Sequence, residues 1–269
     1  MDRQTHLEGP LQTLVRRGRL GLITDVDGTI SPIVPDPDAA QVTPRARELL
    51  AALRTRLALV AVISGRAVDD VRERVGVPGL VYVGNHGLET WVDGAIQLAP
   101  EALTYRPALE AARDALRDTL LPGMQIEDKG ATLSVHYRRA HDPAAAEAIF
   151  VPRAEAVATE HGLHLYRGRM VLELRPPLNI NKGTAFRRLV QEHALDGAIY
   201  LGDDTTDADA LRAARELRDS GALDTLALGV ESDDTPASVR AYADALLPGI
   251  AGVESFLARL LSAASASST

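Results

Sequence analysis

Short apolar runs alternate with amphipathic stretches at both ends of this chain, and a different rhythm separates them. LGLIT (20–24), LALVAVIS (57–64) and LVYVGN (80–85) each read as a strand buried on both faces, because apolar residues run through them almost without a break. Between them, 43–57 and roughly 67–76 predict helices, the first with Thr43 as N-cap and Pro44 at the first helical position. Residues 1–18 read as a polar, partly helical lead-in. After about residue 100 the order becomes helix (105–120), strands MQIEDK (124–129) and ATLSVHYR (131–138), helix (143–161), and strands LHLYR (163–167) and MVLELR (170–175). The first rhythm then returns: helix 183–194, strand AIYLG (198–202), helix 206–218, strand TLALGV (225–230) and a terminal helix near 251–263.

Buried strands alternating with helices predict an α/β core, a doubly wound parallel sheet covered on both faces. The central helix-strand-strand order occurs twice and its strands alternate with period two, which predicts an inserted α+β unit with a half-covered antiparallel sheet. The division expected is a core of 1–103 and 176–269 with an insertion over 104–175. Within the insertion, Gln125, Glu127 and Lys129 share a face against Met124 and Ile126. Thr132, Ser134, His136 and Arg138 oppose Leu133, Val135 and Tyr137, and Arg169, Val171, Glu173 and Arg175 oppose Met170, Leu172 and Leu174. The polar side of a sheet is ordinarily just solvated, but a face mixing acids with bases also suits sugar hydroxyls, which both donate and accept.

Composition narrows the partners. The formal charge of -8 argues against nucleic acid, which calls for a basic stripe. The absence of cysteine removes disulfides, thiolate metal sites and cysteine nucleophiles. No apolar run approaches the ~18 residues of a membrane span, and MDRQTHLEGP lacks the layout of an export signal, so a cytoplasmic protein off the membrane is expected, a monomer by default. The Ala/Ser-rich tail over 262–269 is expected to be disordered.

The candidate chemistry sits at strand ends. Asp25-Val26-Asp27-Gly28-Thr29 follows LGLIT directly, where open α/β sheets bind ligands. One carboxylate there can attack phosphorus, and the second, two residues on, can protonate a leaving oxygen and later activate water. Gly28 permits the sharp turn; Asp-Gly is also common in plain turns. Ser64-Gly65-Arg66 ends the next strand, where a hydroxyl and backbone amides can hold phosphate oxygens. Asn181-Lys182-Gly183 opens a helix, placing an ammonium beside an anion-favouring terminus, although a lysine there is more often solvated. Gly202-Asp203-Asp204-Thr205-Thr206-Asp207 puts three acids within five positions, which repel unless a cation sits among them.

An acid pair, a hydroxyl, a lysine and an acid cluster in that order, each at a strand end, resemble the haloacid dehalogenase (HAD) superfamily. The resemblance implies Asp25 as nucleophile, Asp27 as general acid/base, Ser64 as phosphate ligand and Lys182 as charge balance. It implies Mg2+ held by Asp25, the Asp27 backbone carbonyl and Asp203, with Asp204 and Asp207 in support. Within that superfamily, 25–33 (DVDGTISPI), 84–89 (GNHGLE), 127–129 (EDK), 136–138 (HYR), 173–176 (ELRP), 181–183 (NKG) and 201–207 (LGDDTTD) are similar to trehalose-6-phosphate phosphatase signatures. That likeness implies a mobile C2B-type cap binding the distal glucose through Glu127, Lys129, Arg138 and Glu173, with Arg169 alongside them. It puts His86 and Gly87 at the sugar entrance, and Gly65 and Arg66 join the substrate-binding candidates. Val26 stands where the family commonly has Tyr, and Arg169 where it often has Lys. The function implied is hydrolysis of trehalose 6-phosphate in trehalose biosynthesis. Sucrose 6-phosphate and glucosyl- or mannosyl-3-phosphoglycerate phosphatases, a phosphomutase, and a non-catalytic partner of a trehalose-phosphate synthase are the alternatives. Glu127 and Glu173 favour a neutral sugar over an acidic one.

Overall fold

The computed structural model describes residues 7–34, 39–168 and 170–266. It divides into two compact units, Met1–Ile96 with Ile180–Thr269, and Gln97–Asn179. In chain order the first unit carries α1 (Glu8–Val15), β1 (Leu20–Thr24), α2 (Pro44–Arg54), β2 (Leu59–Ile63), α3 (Val68–Val75), β3 (Val81–Gly84) and β4 (Glu89–Val92), and β5 (Ala95–Leu98) runs to its boundary. The second carries α4 (Pro100–Leu103), α5 (Arg106–Arg117), β6 (Gln125–Asp128), β7 (Leu133–His136), α6 (Pro143–Glu160), β8 (His164–Gly168) and β9 (Val171–Arg175). The first unit then resumes with α7 (Lys182–Glu192), β10 (Gly197–Gly202), α8 (Ala208–Asp219), β11 (Asp224–Glu231), α9 (Ala237–Tyr242), β12 (Ala245–Pro248) and α10 (Gly249–Ala266).

The large sheet has the order β12-β11-β10-β1-β2-β3-β4-β5. It is parallel from β12 through β3, and β4 runs antiparallel to β3. β1 is wholly buried because consecutive residues feed opposite faces: Leu22 packs with Leu50, Val71 and Phe256, whereas Ile23 packs with Phe186, Leu189 and Leu211. Helices α1, α2, α3 and α10 therefore cover one face and α7, α8 and α9 the other. Chain order proceeds outward from β1 in one direction and from β10 in the other, so these neighbours mark the topological switch point, where ligands bind beyond the strands' C-terminal ends. The Thr43 hydroxyl caps α2 by accepting from Ala46 N at 3.1 Å, with Pro44 at the first position.

In the second unit the sheet order is β6-β7-β9-β8, all antiparallel. Leu133, Val135, Leu172 and Leu174 form its core with Leu109, Leu116, Phe150 and Ala154 of α5 and α6. The opposite face is not simply solvated: Thr132 and Ser134 are fully buried and Glu173 is 7% exposed.

Several elements differ from the sequence reading. β4 and β5 form a strand pair around Asp93 and Gly94, whose φ values of 50° and 85° suit a tight hairpin; the Asp-Gly dipeptide was the available signal. β12 and α9 are four and six residues long, too short to show a period. The tail does not begin at 262: α10 continues to Ala266 because Leu260 and Ala264 pack into the same core as Leu11 and Leu14. The rest of the tail, 267–269, lies outside the described residues. The insertion unit starts before residue 104, since α4 belongs to it, and extends to Asn179.

Candidate active site

Four strand ends and one helix start converge at the switch point. Asp25 follows β1 and its backbone N–H donates to Leu201 O of β10 at 2.9 Å. The chain then turns through Gly28, at φ 87°, where any Cβ would overlap the Asp203 carboxylate. Gly28 N donates to Ser31 O at 2.7 Å, closing the loop. Asp203 follows β10, and its Oδ1 accepts from the Thr29 hydroxyl at 3.2 Å.

Lys182 opens α7, whose N-terminus is closed by an Asn181–Thr184 capping box. The lysine is not a solvated surface residue: it is 3% exposed, and its Nζ donates to Asp25 Oδ1 at 2.7 Å and Asp207 Oδ1 at 2.8 Å. Burial alone would lower this ammonium, but Asp207 and Asp25 outweigh it and hold it above the usual lysine value. Asp207 is fully buried and its acceptor positions are taken. Oδ1 receives Lys182 and the Tyr200 hydroxyl, the latter at 2.6 Å, and Oδ2 receives the backbone N–H groups of Asp203 and Asp204 at 3.2 and 3.1 Å. The Asp204 side chain is exposed.

Carboxylate oxygens of Asp25, Asp203 and Asp207 lie within 4.8 Å of one another, a grouping able to hold a metal ion. Burial first, and Asp207 next, hold the Asp25 carboxyl well above its ordinary range against the pull of Lys182. The same causes push Asp203 up to about 7. Three buried acids against one ammonium leave a surplus of negative charge that a divalent cation neutralises, so the donor set fits one. Since Asp207 is saturated, Asp25 and Asp203 are the carboxylates able to turn toward such an ion.

Ser64 follows β2, is 1% exposed, and its hydroxyl accepts from Arg66 N at 3.2 Å. The Arg66 guanidinium lies on Asp27, Nε to Oδ2 at 2.6 Å and Nη2 to Oδ1 at 2.8 Å, and on Asp70 through Nη1 at 2.9 Å. Burial would lower this guanidinium; the bonded acids Asp27 and Asp70 raise it instead. After β3 the chain passes through Asn85, His86 and Gly87, with φ of 46°, 58° and 118°. This left-handed run brings the His86 ring against Gly65, where an added Cβ would lie 2.6 Å from Cε1. Glu89, 3% exposed, accepts from Val68 N at 2.9 Å and so ties β4 to the start of α3.

The remaining candidates belong to the second unit. Direct cross-strand pairing sets Glu127, Ser134, Glu173 and Tyr166 in one row across all four strands. Glu173 accepts from Thr132 Oγ1 at 3.3 Å, Lys129 Nζ at 3.5 Å and the Arg175 guanidinium. Lys129 also stands 3.9 Å from Glu127, which pairs with His136 Nε2 at 2.8 Å. Arg138 is half-buried after β7. Arg169 lies outside the described residues.

Thr29, Tyr200 and Asp70 are site neighbours that the sequence reading missed. A tyrosine within the otherwise apolar AIYLG was the signal for a buried hydroxyl seeking an acceptor. Nothing local distinguished Thr29 or Asp70.

A doubly wound sheet with a strand-end acid pair and a buried lysine–acid cluster at its switch point is the arrangement of the haloacid dehalogenase superfamily. More narrowly, the chain belongs to the trehalose-phosphatase family, whose model matches residues 23–243. It is 41% identical over 204 residues to a trehalose-phosphate phosphatase of Mycobacterium marinum, covering 72% of this chain and 51% of that one. It is 42% identical over 195 residues to the Mycobacterium tuberculosis protein of the same name, covering 69% and 49%. The chain thus spans about half the length of the curated relatives it matches. Aspergillus fumigatus trehalose-6-phosphate phosphatase superposes with a TM-score of 0.62 at 28% identity, covering 97% of this chain and 98% of that one. The C-terminal domain of the Candida albicans trehalose-6-phosphate phosphatase shares the fold, with a TM-score of 0.77 at 24% identity and 97% of each chain covered. No helix among the described residues is long and apolar enough to cross a membrane.

Proposed function

We propose that this chain hydrolyses trehalose 6-phosphate to trehalose and inorganic phosphate through an aspartyl-phosphate intermediate, with Mg2+ as cofactor. The observation that carries the chemistry is the buried Lys182 ammonium shared between Asp25 and Asp207 at the sheet's switch point. Family membership supports the sugar phosphate as substrate.

In the first half-reaction a carboxylate oxygen of Asp25 attacks phosphorus and the bond from phosphorus to the sugar oxygen breaks. Asp27 gives its proton to that leaving oxygen, which departs as a neutral hydroxyl. Lys182 offsets the negative charge that accumulates between the Asp25 carboxylate and the phosphoryl oxygens, and the Ser64 hydroxyl orients one of those oxygens. In the second half-reaction water attacks the same phosphorus and gives a proton to Asp27. The bond from phosphorus to Asp25 then breaks, restoring the carboxylate and releasing phosphate. Asp25, the Asp27 backbone carbonyl and Asp203 would hold Mg2+, which would supply charge neutralisation at the phosphoryl group. Asp207 acts from behind, fixing Lys182 and the backbone of Asp203, and Asp204 contributes through its backbone N–H.

The inserted unit serves as the specificity cap. Glu127, Lys129, Arg138 and Glu173, with Arg169, offer the mixed acceptors and donors that bind the hydroxyls of the distal glucose. His86, Gly87 and Gly65 line the sugar entrance on the core unit. Phosphate release with Mg2+ from equal concentrations of trehalose 6-phosphate, sucrose 6-phosphate, glucose 6-phosphate and glucosyl-3-phosphoglycerate tests this assignment. Preference for the first is expected. Preference for another ester overturns the sugar assignment, and no release from any overturns the enzymatic one.

A further inference from the structure

Arg66 stands two residues beyond Ser64, and its guanidinium forks over both oxygens of Asp27, at 2.6 and 2.8 Å. Its remaining edge meets Asp70 at 2.9 Å. The other oxygen of Asp70 accepts from Arg74 Nε at 2.6 Å, and Arg74 Nη1 donates to the Ala40 carbonyl at 2.8 Å. Charges therefore alternate along Asp27, Arg66, Asp70 and Arg74, and they tie the Asp27 loop to one face of α3, where Asp70 and Arg74 are i,i+4 neighbours. The backbone of Arg66 is pinned as well: its N–H donates to Ser64 Oγ and its carbonyl accepts from Asn85 N at 2.8 Å.

Among the described residues, Arg66 is the side chain that holds the Asp27 carboxylate. The Asp27 side chain is 34% exposed, on a loop rather than in a strand. A carboxyl with two rotatable bonds in that setting samples several rotamers, whereas proton transfer requires one oxygen held within hydrogen-bond reach of the leaving atom. Two parallel N–H···O bonds define the plane of the carboxylate and fix both torsions together. A lysine at the same place supplies charge but no plane. The second acid matters equally, since Asp70 holds the guanidinium against α3 and sets the fork's direction.

We propose that Arg66, braced by Asp70, is the positioning residue that aims the Asp27 carboxyl at the leaving-group oxygen, and that it acts through Asp27 rather than as a ligand of the phosphate. The proposal rests on the reading of Asp27 as the group that donates the leaving group's proton. A phosphate ligand serves every phosphate ester alike. In forming the phosphoenzyme an aiming residue matters only where the departing oxygen must be protonated, as for a sugar alkoxide, and little for a phenolate that leaves as an anion. Hydrolysis of the phosphoenzyme, where Asp27 takes a proton from water, is common to both esters.

The test compares wild type, Arg66→Lys, Asp70→Asn, Asp27→Asn and the Arg66→Lys/Asp27→Asn double variant on trehalose 6-phosphate and p-nitrophenyl phosphate. Arg66→Lys is expected to lower the single-turnover rate of phosphoenzyme formation from the sugar phosphate by roughly 30- to 100-fold, within what a mis-aimed general acid costs. On the aryl ester the same single-turnover rate should fall no more than about threefold, because that leaving group departs without a proton. Asp70→Asn should show the same selectivity at about a tenth of the size, and in the Asp27→Asn background Arg66→Lys should add less than about twofold, the non-additivity of groups that act as a unit. Equal losses in the rate of phosphoenzyme formation from the two esters, weaker substrate binding with that rate intact, or a full further loss on top of Asp27→Asn each overturn the proposal. Wild type inactive on both esters overturns the enzymatic reading itself, and wild type active with unselective variants overturns only the role of Arg66.

Discussion

Replacing Asp207 with Asn keeps the shape of a fully buried side chain and changes only what its four acceptor positions can do. In the native protein one oxygen takes Lys182 and Tyr200, and the other takes the backbone N–H groups of Asp203 and Asp204. An amide offers one oxygen and one NH2. With its oxygen toward Lys182 and Tyr200, the NH2 faces two backbone donors; flipped, it faces the ammonium and the phenol. Either way two buried donors lose their acceptor, at ~1–3 kcal/mol each, and Lys182 keeps one counter-charge instead of two. The sum is about 4 kcal/mol, or about 10 °C in Tm for a chain of this size. Asp203→Asn is the contrast. Its amide oxygen can still accept from Thr29, and the native carboxyl is already pushed up to about 7, so removing the charge costs the metal-free fold little. Denaturant unfolding followed by fluorescence reads both, because the sole tryptophan, Trp91, lies on β4 of the core unit. A loss below about 1 kcal/mol for Asp207→Asn, or equal losses for the two variants, would refute the reasoning about saturated acceptors.

Four further outcomes are expected. Asp25→Asn should abolish phosphate release from every ester, since an amide cannot form the acyl phosphate; burst labelling of the variant by substrate phosphorus would contradict this. Glu173→Ala should reduce kcat/KM on trehalose 6-phosphate by roughly 30-fold, the value of a charge-assisted hydrogen bond of ~2 kcal/mol, with a much smaller effect on p-nitrophenyl phosphate. Gly28→Ala should cost about 100-fold in kcat, because its Cβ collides with Asp203 at a φ of 87° that displaces the whole acid loop. In metal-free protein the raised Asp25 and Asp203 pKa values mean that the folded state keeps protons the unfolded chain has released. For Asp203 that contribution is complete below the unfolded value of 3.8 and is lost as pH climbs through about 7. The Tm of Asp203→Asn should therefore gain on wild type between pH 5 and pH 8 without metal, and Mg2+ should reverse the order at pH 8; parallel curves would count against the buried-charge argument.

What the sequence by itself determined was local in its physics. Short unbroken apolar runs bounded by turn residues read as strands buried on both sides, so LGLIT and AIYLG pointed to a covered parallel sheet before any contact was known, and period-two alternation pointed to the half-covered sheet of the insertion. The acids, the serine and the lysine were legible because each closes a strand or opens a helix. Tertiary structure decided the partners. Lys182 and Asp25 are 157 residues apart in sequence, and only the junction of β1, β10 and α7 makes one the counter-charge of the other. The three acids of 203–207 look equivalent in sequence, yet Asp207 is saturated by Lys182, Tyr200 and two backbone amides, Asp203 faces Thr29, and Asp204 points its side chain to solvent. Arg66 read as a substrate-binding candidate from its place beside Ser64; its guanidinium partners, Asp27 on the loop after β1 and Asp70 on α3, are set by proximity in space. Periodicity and strand-end position are set by neighbours in the chain; hydrogen-bond partnership is set by distance in the fold, which a one-dimensional pattern does not contain.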